Sequence, residues 1–325
     1  MSILRFKTDR VGEEDISAML PTLDKRANKG SCGRVLAICG SYDPRGLSMS
    51  GAAYFAAASA YRTGAGIVEI FTARKNFEAI AARLPEAVYS LYENEENFED
   101  VCARVEKSLS EADAVVIGCG IGKSEMSRAI LRTVLKKGCV PLLLDADALN
   151  IMSEDKCLWE LLSKEQRART VITPHAGEMM RLCGKSIESI LSSTVETAYD
   201  FAREYGVICL LKDNKTVISD GKKIYINHSG NAGMASAGMG DLLSGIIGAL
   251  LAKGQIAYKR SALSEDFQPD WLLRAAIGAY IHGLAGDLAR NEVGEYSLMA
   301  SDLLAKIPNV ISKYSSRDAG KTNLI

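Results

Sequence analysis

Short apolar runs alternate with helix-period segments over most of the chain. Residues 34–39 (RVLAIC), 66–72 (GIVEIFT), 113–118 (DAVVIG), 140–145 (VPLLLD), 170–173 (TVIT) and 207–212 (VICLLK) read as buried strands. Near-continuous apolar strands separated by helices predict a parallel sheet covered on both faces. An Ala-rich helix is expected over 50–62. After Lys212 the rhythm changes: Asp220-Gly221 lies between two β-rich runs in 216–226, which signals a hairpin and an antiparallel sheet edge. The remainder reads as helix over 241–253, 270–290 and 298–312. Residues 255–269 read as an exposed connection, and the polar stretch from Ser315 as a frayed tail.

Composition narrows the class. The 325 residues are 47% apolar with a net charge of −1, which gives a substantial core and no dedicated nucleic-acid surface. Eight cysteines form no C-x-x-C pair and read as reduced, buried thiols of a cytoplasmic protein. Three scattered histidines make a zinc site unexpected. Neither a secretory signal nor a membrane span is visible.

Ligands of open α/β sheets bind beyond the carboxyl ends of the strands. The unusual residues fall there: Gly40-Ser41, the glycine-rich turn 118–122, Asp145-Ala146-Asp147, Thr173-Pro174-His175 and the loop from Lys212 through Asp213, Asn214 and Lys215 to Thr216. Most telling is NAGMASAGMGDLLSG (231–245), where tiny residues precede a single Asp241 and then a helix. Bare N–H groups at a helix start attract anions, and small residues admit a phosphate to them. Gly238-Met239-Gly240 therefore reads as an anion turn. Asp241 reads either as a helix cap or as a base that takes a proton from an attacking hydroxyl.

Other motifs stay ambiguous. GCGIGKS (118–124) lacks the spacing of a phosphate loop and of a dinucleotide fingerprint. It is either a tight strand-to-helix turn or backbone laid against a flat ligand. Asp145 and Asp147 either hold Mg²⁺ through waters or make Asx turns. His175 reads as structural on its own, with Glu178 in position to cap a short helix. His282 reads as a packed or capping residue.

Taken in order, KGSCGRVLAICGS (29–41), SMSGAAYFAAASAYRTGAGIVEIFT (48–72), VVIGCGIG (115–122), DADALN (145–150), TPHAGE (173–178) and NAGMASAGMGDLLSG (231–245) resemble the NAD(P)H-hydrate dehydratases of the ribokinase-like superfamily. The resemblance spans about Lys29 to Arg290. It implies a three-layer α/β/α ribokinase-like fold in one domain, with residues 1–28 as a leader. It also implies repair of hydrated NADH and NADPH: phosphorylation of the hydrate hydroxyl by ADP or ATP with Mg²⁺, then loss of phosphate. By position, Ala52, Gly120, Gly122, His175 and Asp241 would line the hydrate site, with Asp241 as base. Lys212, Asp213, Asn214, Lys215, Thr216 and Gly240 would hold the adenine nucleotide. A homo-oligomer is implied, and an epimerase, where needed, as a separate chain.

Three positions depart from the family pattern: Asn28 stands for a frequent His, Ala176 for Pro and Asp213 for Gly. Two other functions would share Asp241 and its turn, a kinase of a vitamin-precursor alcohol and a nucleotide-binding regulator without turnover. The joint presence of TPHAGE, DADALN and SMSGAA favours the dehydratase over the first. A base that pure binding does not need favours it over the second.

Overall fold

The computed structural model describes residues 6–20, 23–43, 45–261 and 267–315. In chain order the elements are α1 (Glu13–Met19), β1 (Arg34–Ile38), β2 (Tyr42–Asp43), β3 (Leu47–Ser48), α2 (Ser50–Arg62), β4 (Ile67–Ala73), α3 (Phe77–Ala81) and β5 (Val88–Tyr92). Next come α4 (Phe98–Glu111), β6 (Ala114–Ile117), α5 (Glu125–Lys137), β7 (Leu142–Leu144), α6 (Ala146–Glu154), α7 (Lys164–Ala168) and β8 (Thr170–Ile172). Then follow α8 (Ala176–Cys183), α9 (Ile187–Ser192), α10 (Thr194–Tyr205), β9 (Ile208–Leu211), β10 (Val217–Ser219) and β11 (Ile224–Ile226). The last three are α11 (Met239–Arg260), α12 (Trp271–Val293) and α13 (Ala300–Ser315).

Nine strands form one sheet in the order β11-β10-β9-β8-β7-β6-β1-β4-β5. All neighbours are parallel except β9–β10 and β10–β11, the expected hairpin edge. Alternation along each strand feeds two cores. Val35, Ala37 and Cys39 join a core with α2, α11, α12 and α13, while Leu36 and Ile38 join one with α4, α5, α6 and α10. The layers are therefore α/β/α. Strand order reverses beside β1, with β4 on one side and β6 on the other, and such a switch point opens a crevice at the carboxyl ends.

The position of α11 follows from a close approach. A Cβ on Gly245 would lie 2.0 Å from the Ala56 carbonyl oxygen, so only glycine lets α11 seat on α2. Leu242, Ile246, Ile247, Leu250 and Leu251 then bury completely, or nearly so, and anchor the first turn at the crevice.

The fold departs from the sequence reading at three places. The connection read over 255–269 is helical up to Arg260. Gly254 packs under Trp271 and Arg274, and Gln255 is buried. The rest of that connection lies partly outside the described residues. Strand β5 was not anticipated, because at the sheet edge it keeps a half-exposed pattern without a continuous apolar run. The small β2–β3 pair was also unread.

The leader belongs to the fold. Asp9 pairs with β11 through Asp9 N–H to Ile224 O at 2.8 Å and Ile226 N–H to Asp9 O at 3.1 Å, and Ile16 and Leu20 of the α1 segment are buried. Of the expected frayed tail, Ser315 closes α13 and the rest lies outside the described residues. Among the described residues, no helix is long and apolar enough to cross a membrane.

Candidate active site

Helix α11 opens without a side-chain cap. Its N-cap is Gly238, held left-handed at φ 90°, a conformation glycine adopts without strain. The N–H groups of the first turn precede the first intrahelical bond, Leu242 N–H to Gly238 O at 3.1 Å, so they and the positive helix end offer themselves to an anion. Asp241 is the third helical residue, not the cap, so the capping reading falls.

Asp241 sits among charged neighbours. Burial pushes its pKa up to about 6, the nearby Asp145 and Asp147 carboxylates add to the rise, and a Cys119 thiol hydrogen bond with the Lys212 charge opposes it. A carboxylate poised near neutrality is suited to accept a proton. The Cys119 contact was missed in the sequence, where this residue read only as an inert buried thiol.

A cavity of about 980 Å³ opens against this turn. Asp145, His175, Lys212, Asp213, Asn214 and Thr216 line it, together with residues 229–232, residues 234–241 and His282. Four of the five predicted nucleotide-loop residues therefore converge with Gly240. Lys215 is exposed and outside the lining. Asp213, standing where glycine is frequent, is exposed and lines the cavity.

Lys212 donates to Asp145 Oδ1 at 2.8 Å and lies 3.9 Å from Glu178 Oε2. Burial works against its charge, but these two carboxylates outweigh burial and raise its pKa. Ser244 Oγ, from α11, donates to the other Asp145 oxygen at 2.8 Å. A lone serine in the apolar run LLSGII was the only sequence signal for it.

Glu178 caps α8 as its position predicted, and His175, the N-cap residue, completes the capping box. Its Nδ1 accepts from Gly177 N–H at 3.0 Å and Glu178 N–H at 3.4 Å, while Glu178 Oε2 accepts from His175 N–H at 2.9 Å. With Nδ1 accepting, the ring proton belongs on Nε2, which faces Glu178 Oε1 at 3.4 Å. Main-chain bonding of Lys212 N–H to Pro174 O at 2.8 Å sets this rim beside the Lys212 loop. His175 thus stands on the nucleotide-loop side of Asp241.

The other predicted hydrate residues cluster on the opposite side, at the switch-point crevice. A Cβ on Gly120 would lie 3.1 Å from Ala52 Cβ and 2.8 Å from Met49 Cβ. Gly122 faces the Ser41 hydroxyl and donates its N–H to Asp147 Oδ2 at 2.8 Å. Ala52, Gly120 and Gly122 are therefore brought together.

Direct Mg²⁺ ligation does not suit these carboxylates. Asp145 is buried with both oxygens taken, and one Asp147 oxygen holds Gly122 N–H. Among the described residues, no three His, Cys, Asp or Glu side chains converge as metal ligands. Of the two open readings of Asp145, a water-mediated magnesium role meets an oxygen pair already engaged. His282, expected to be packed or capping, has a buried Nε2 with no partner, and burial pushes its pKa down to about 4.

Comparison with known proteins places this geometry in a family. A family model for NAD(P)H-hydrate dehydratase matches residues 35–309. A bifunctional NAD(P)H-hydrate repair enzyme of Moorella thermoacetica is 35% identical over 304 residues, covering 90% of this chain and 52% of that protein. The chain thus spans about half the length of such relatives. An ADP-dependent (S)-NAD(P)H-hydrate dehydratase of Cenarchaeum symbiosum is 30% identical, covering 94% of this chain and 97% of its own. Among solved structures, the ADP/ATP-dependent NAD(P)H-hydrate dehydratase of Bacillus subtilis, co-crystallised with ATP/Mg²⁺, aligns with a TM-score of 0.72 and 26% identity, covering 95% and 99% of the two chains. Ribokinase-like proteins share the fold. With its family model matched from the first central strand to the last helix, the chain belongs to the NAD(P)H-hydrate dehydratase family.

Proposed function

We propose that the protein dehydrates the S forms of NADH hydrate and NADPH hydrate, using ADP or ATP as phosphoryl donor. The observation that carries this reading is the position of Asp241, a carboxylate with its pKa near 6 between an uncapped helix start and a crevice of small residues. The nucleotide lies along the Lys212–Thr216 loop with its terminal phosphate on the Gly238–Gly240 turn. The hydrate's ring lies beside Ala52, Gly120 and Gly122, where Met49 packs against Gly120.

Asp241 takes the proton of the hydrate hydroxyl as that oxygen attacks the terminal phosphorus. The bond from phosphorus to the leaving phosphate oxygen breaks, and the shortened nucleotide departs with the electron pair. The N–H groups of the turn and the Lys212 ammonium stabilise charge on the transferring group. In the second step the ring nitrogen's lone pair expels phosphate, and loss of a proton from the adjacent carbon restores the double bond. His175, half-exposed beside the nucleotide loop, is engaged in capping α8 and takes no step here.

Magnesium enters this reading as a companion of the nucleotide phosphates, and no step is assigned to it. Converting the R forms calls for an epimerase, which we assign to a separate active site. We also propose a homo-oligomer working in the cytoplasm. The test is recovery of the NADH absorbance band from NADH hydrate with Mg²⁺ and ADP or ATP in turn. Nucleotide-dependent recovery is expected. Its absence with both nucleotides, on hydrate that a known dehydratase converts, would overturn the reading.

A further inference from the structure

Asp145 takes no part in the steps above, yet the surrounding backbone is shaped to aim it. Gly118 carries no side chain at the one place where a Cβ would meet the Asp145 carbonyl oxygen at 1.8 Å. Ala146, next in the chain, is the one non-glycine residue with positive φ among those described, at 46°. Such strain persists only where surrounding contacts over-determine it. Its result is a carboxylate turned inward, 2% exposed, with Oδ1 on Lys212 Nζ and Oδ2 on Ser244 Oγ, each at 2.8 Å.

This carboxylate joins two elements that approach the phosphates from different sides. Lys212 follows β9, and Ser244 belongs to α11 one turn beyond Asp241. A Cβ on Gly240 would lie 3.6 Å from Lys212 Nζ and 3.7 Å from Asp145 Oδ2, so the pair sits directly beneath the anion turn. An ammonium has three donors. Lys212 gives one to Asp145, and Glu178 at 3.9 Å is beyond hydrogen-bond distance, so donors remain for a ligand. A buried ammonium without a counter-charge tends to lose its proton or its place.

We infer that Asp145 is a positioning residue for phosphoryl transfer: it holds the Lys212 ammonium beneath the anion turn and ties it to α11, and it is not a magnesium ligand. This inference rests on the nucleotide placement proposed above. Asp145 touches neither substrate and acts through Lys212.

A double-mutant cycle of Asp145→Asn and Lys212→Met separates this role from a general structural one. Asp145→Asn alone is expected to lower kcat/KM for the nucleotide about 10- to 100-fold, and in the Lys212→Met background to cost less than about threefold, because groups acting as one unit are not additive. Equal, multiplying losses in both backgrounds would overturn the inference. So would a rise in the Mg²⁺ concentration needed for half-maximal rate that persists after Lys212→Met. If Asp145→Asn fails to fold, the double variant, free of both buried charges, is compared with Lys212→Met alone, and near-equality is expected. ADP binding by calorimetry on the same variants keeps the two readings apart. Coupling in binding without hydrate turnover in the unmodified enzyme would sink the proposed function and leave the inference standing.

Discussion

Two glycine-rich turns flank the reacting centre, and they use glycine for opposite ends. In the turn 118–122, backbone groups are spent inside the molecule: Gly40 N–H donates to Cys119 O at 2.9 Å, Ser41 N–H to Gly120 O at 2.6 Å, and Gly122 N–H to Asp147. Gly118 makes room for a neighbouring carbonyl. In the turn 238–240 no side chain caps the N–H groups, and the lack of Cβ at Gly240 leaves space open to the cavity. Abundant glycine therefore marks close approach, and only the fate of the backbone donors tells whether the approaching partner is protein or ligand.

Alanine at one glycine of each turn tests that contrast. Gly118→Ala brings the largest effect: with φ at 128° and a backbone oxygen 1.8 Å from the new Cβ, a loss of more than about 4 kcal/mol is expected. Denaturant unfolding or soluble yield checks it, and a stable Gly118→Ala protein would break the comparison. Gly240→Ala has room for its methyl at ordinary contact distance, so the melting temperature should hold or rise slightly. The methyl would stand over the Lys212–Asp145 pair, and kcat/KM for the nucleotide should fall roughly 10- to 100-fold. Unchanged nucleotide kinetics would remove the turn from the site.

A smaller effect comes from pH. Asp241 must be ionised to act as base, so kcat/KM should fall as pH drops through about 6. The same raised pKa has a stability consequence of opposite sign. The folded state holds this proton more tightly than the unfolded chain, so the associated stability is complete below the ordinary carboxyl range and is lost as pH rises through about 6. Asp241→Asn should therefore gain on the order of 1–3 kcal/mol at neutral pH. Thermal melts at acid and neutral pH would show a gain confined to the higher pH, and a gain equal at both would point to packing.

Much of this was legible from residues alone. The Ala-rich helix Ser50–Arg62 has the predicted bounds, and the apolar runs became parallel strands because each needs cover on both faces. Asp241 and its turn stood out because tiny residues beside a lone carboxylate serve packing poorly. What stayed hidden depends on distant partners. The helix read over 241–253 runs on to Arg260, with Gly254 under Trp271 and Arg274. Edge strand β5 carried too little apolar patterning to announce itself. Asp145 looked available for metal, and only the fold brings Lys212 and Ser244, 67 and 99 residues away in sequence, onto its two oxygens.

The most direct measurement is a paired one on Asp241→Asn, nucleotide affinity beside nucleotide-dependent conversion of NADH hydrate. Loss of a general base at an otherwise intact site predicts turnover lower by about 10²–10⁴-fold with ADP or ATP affinity little changed. Turnover close to that of the unmodified enzyme would contradict the account.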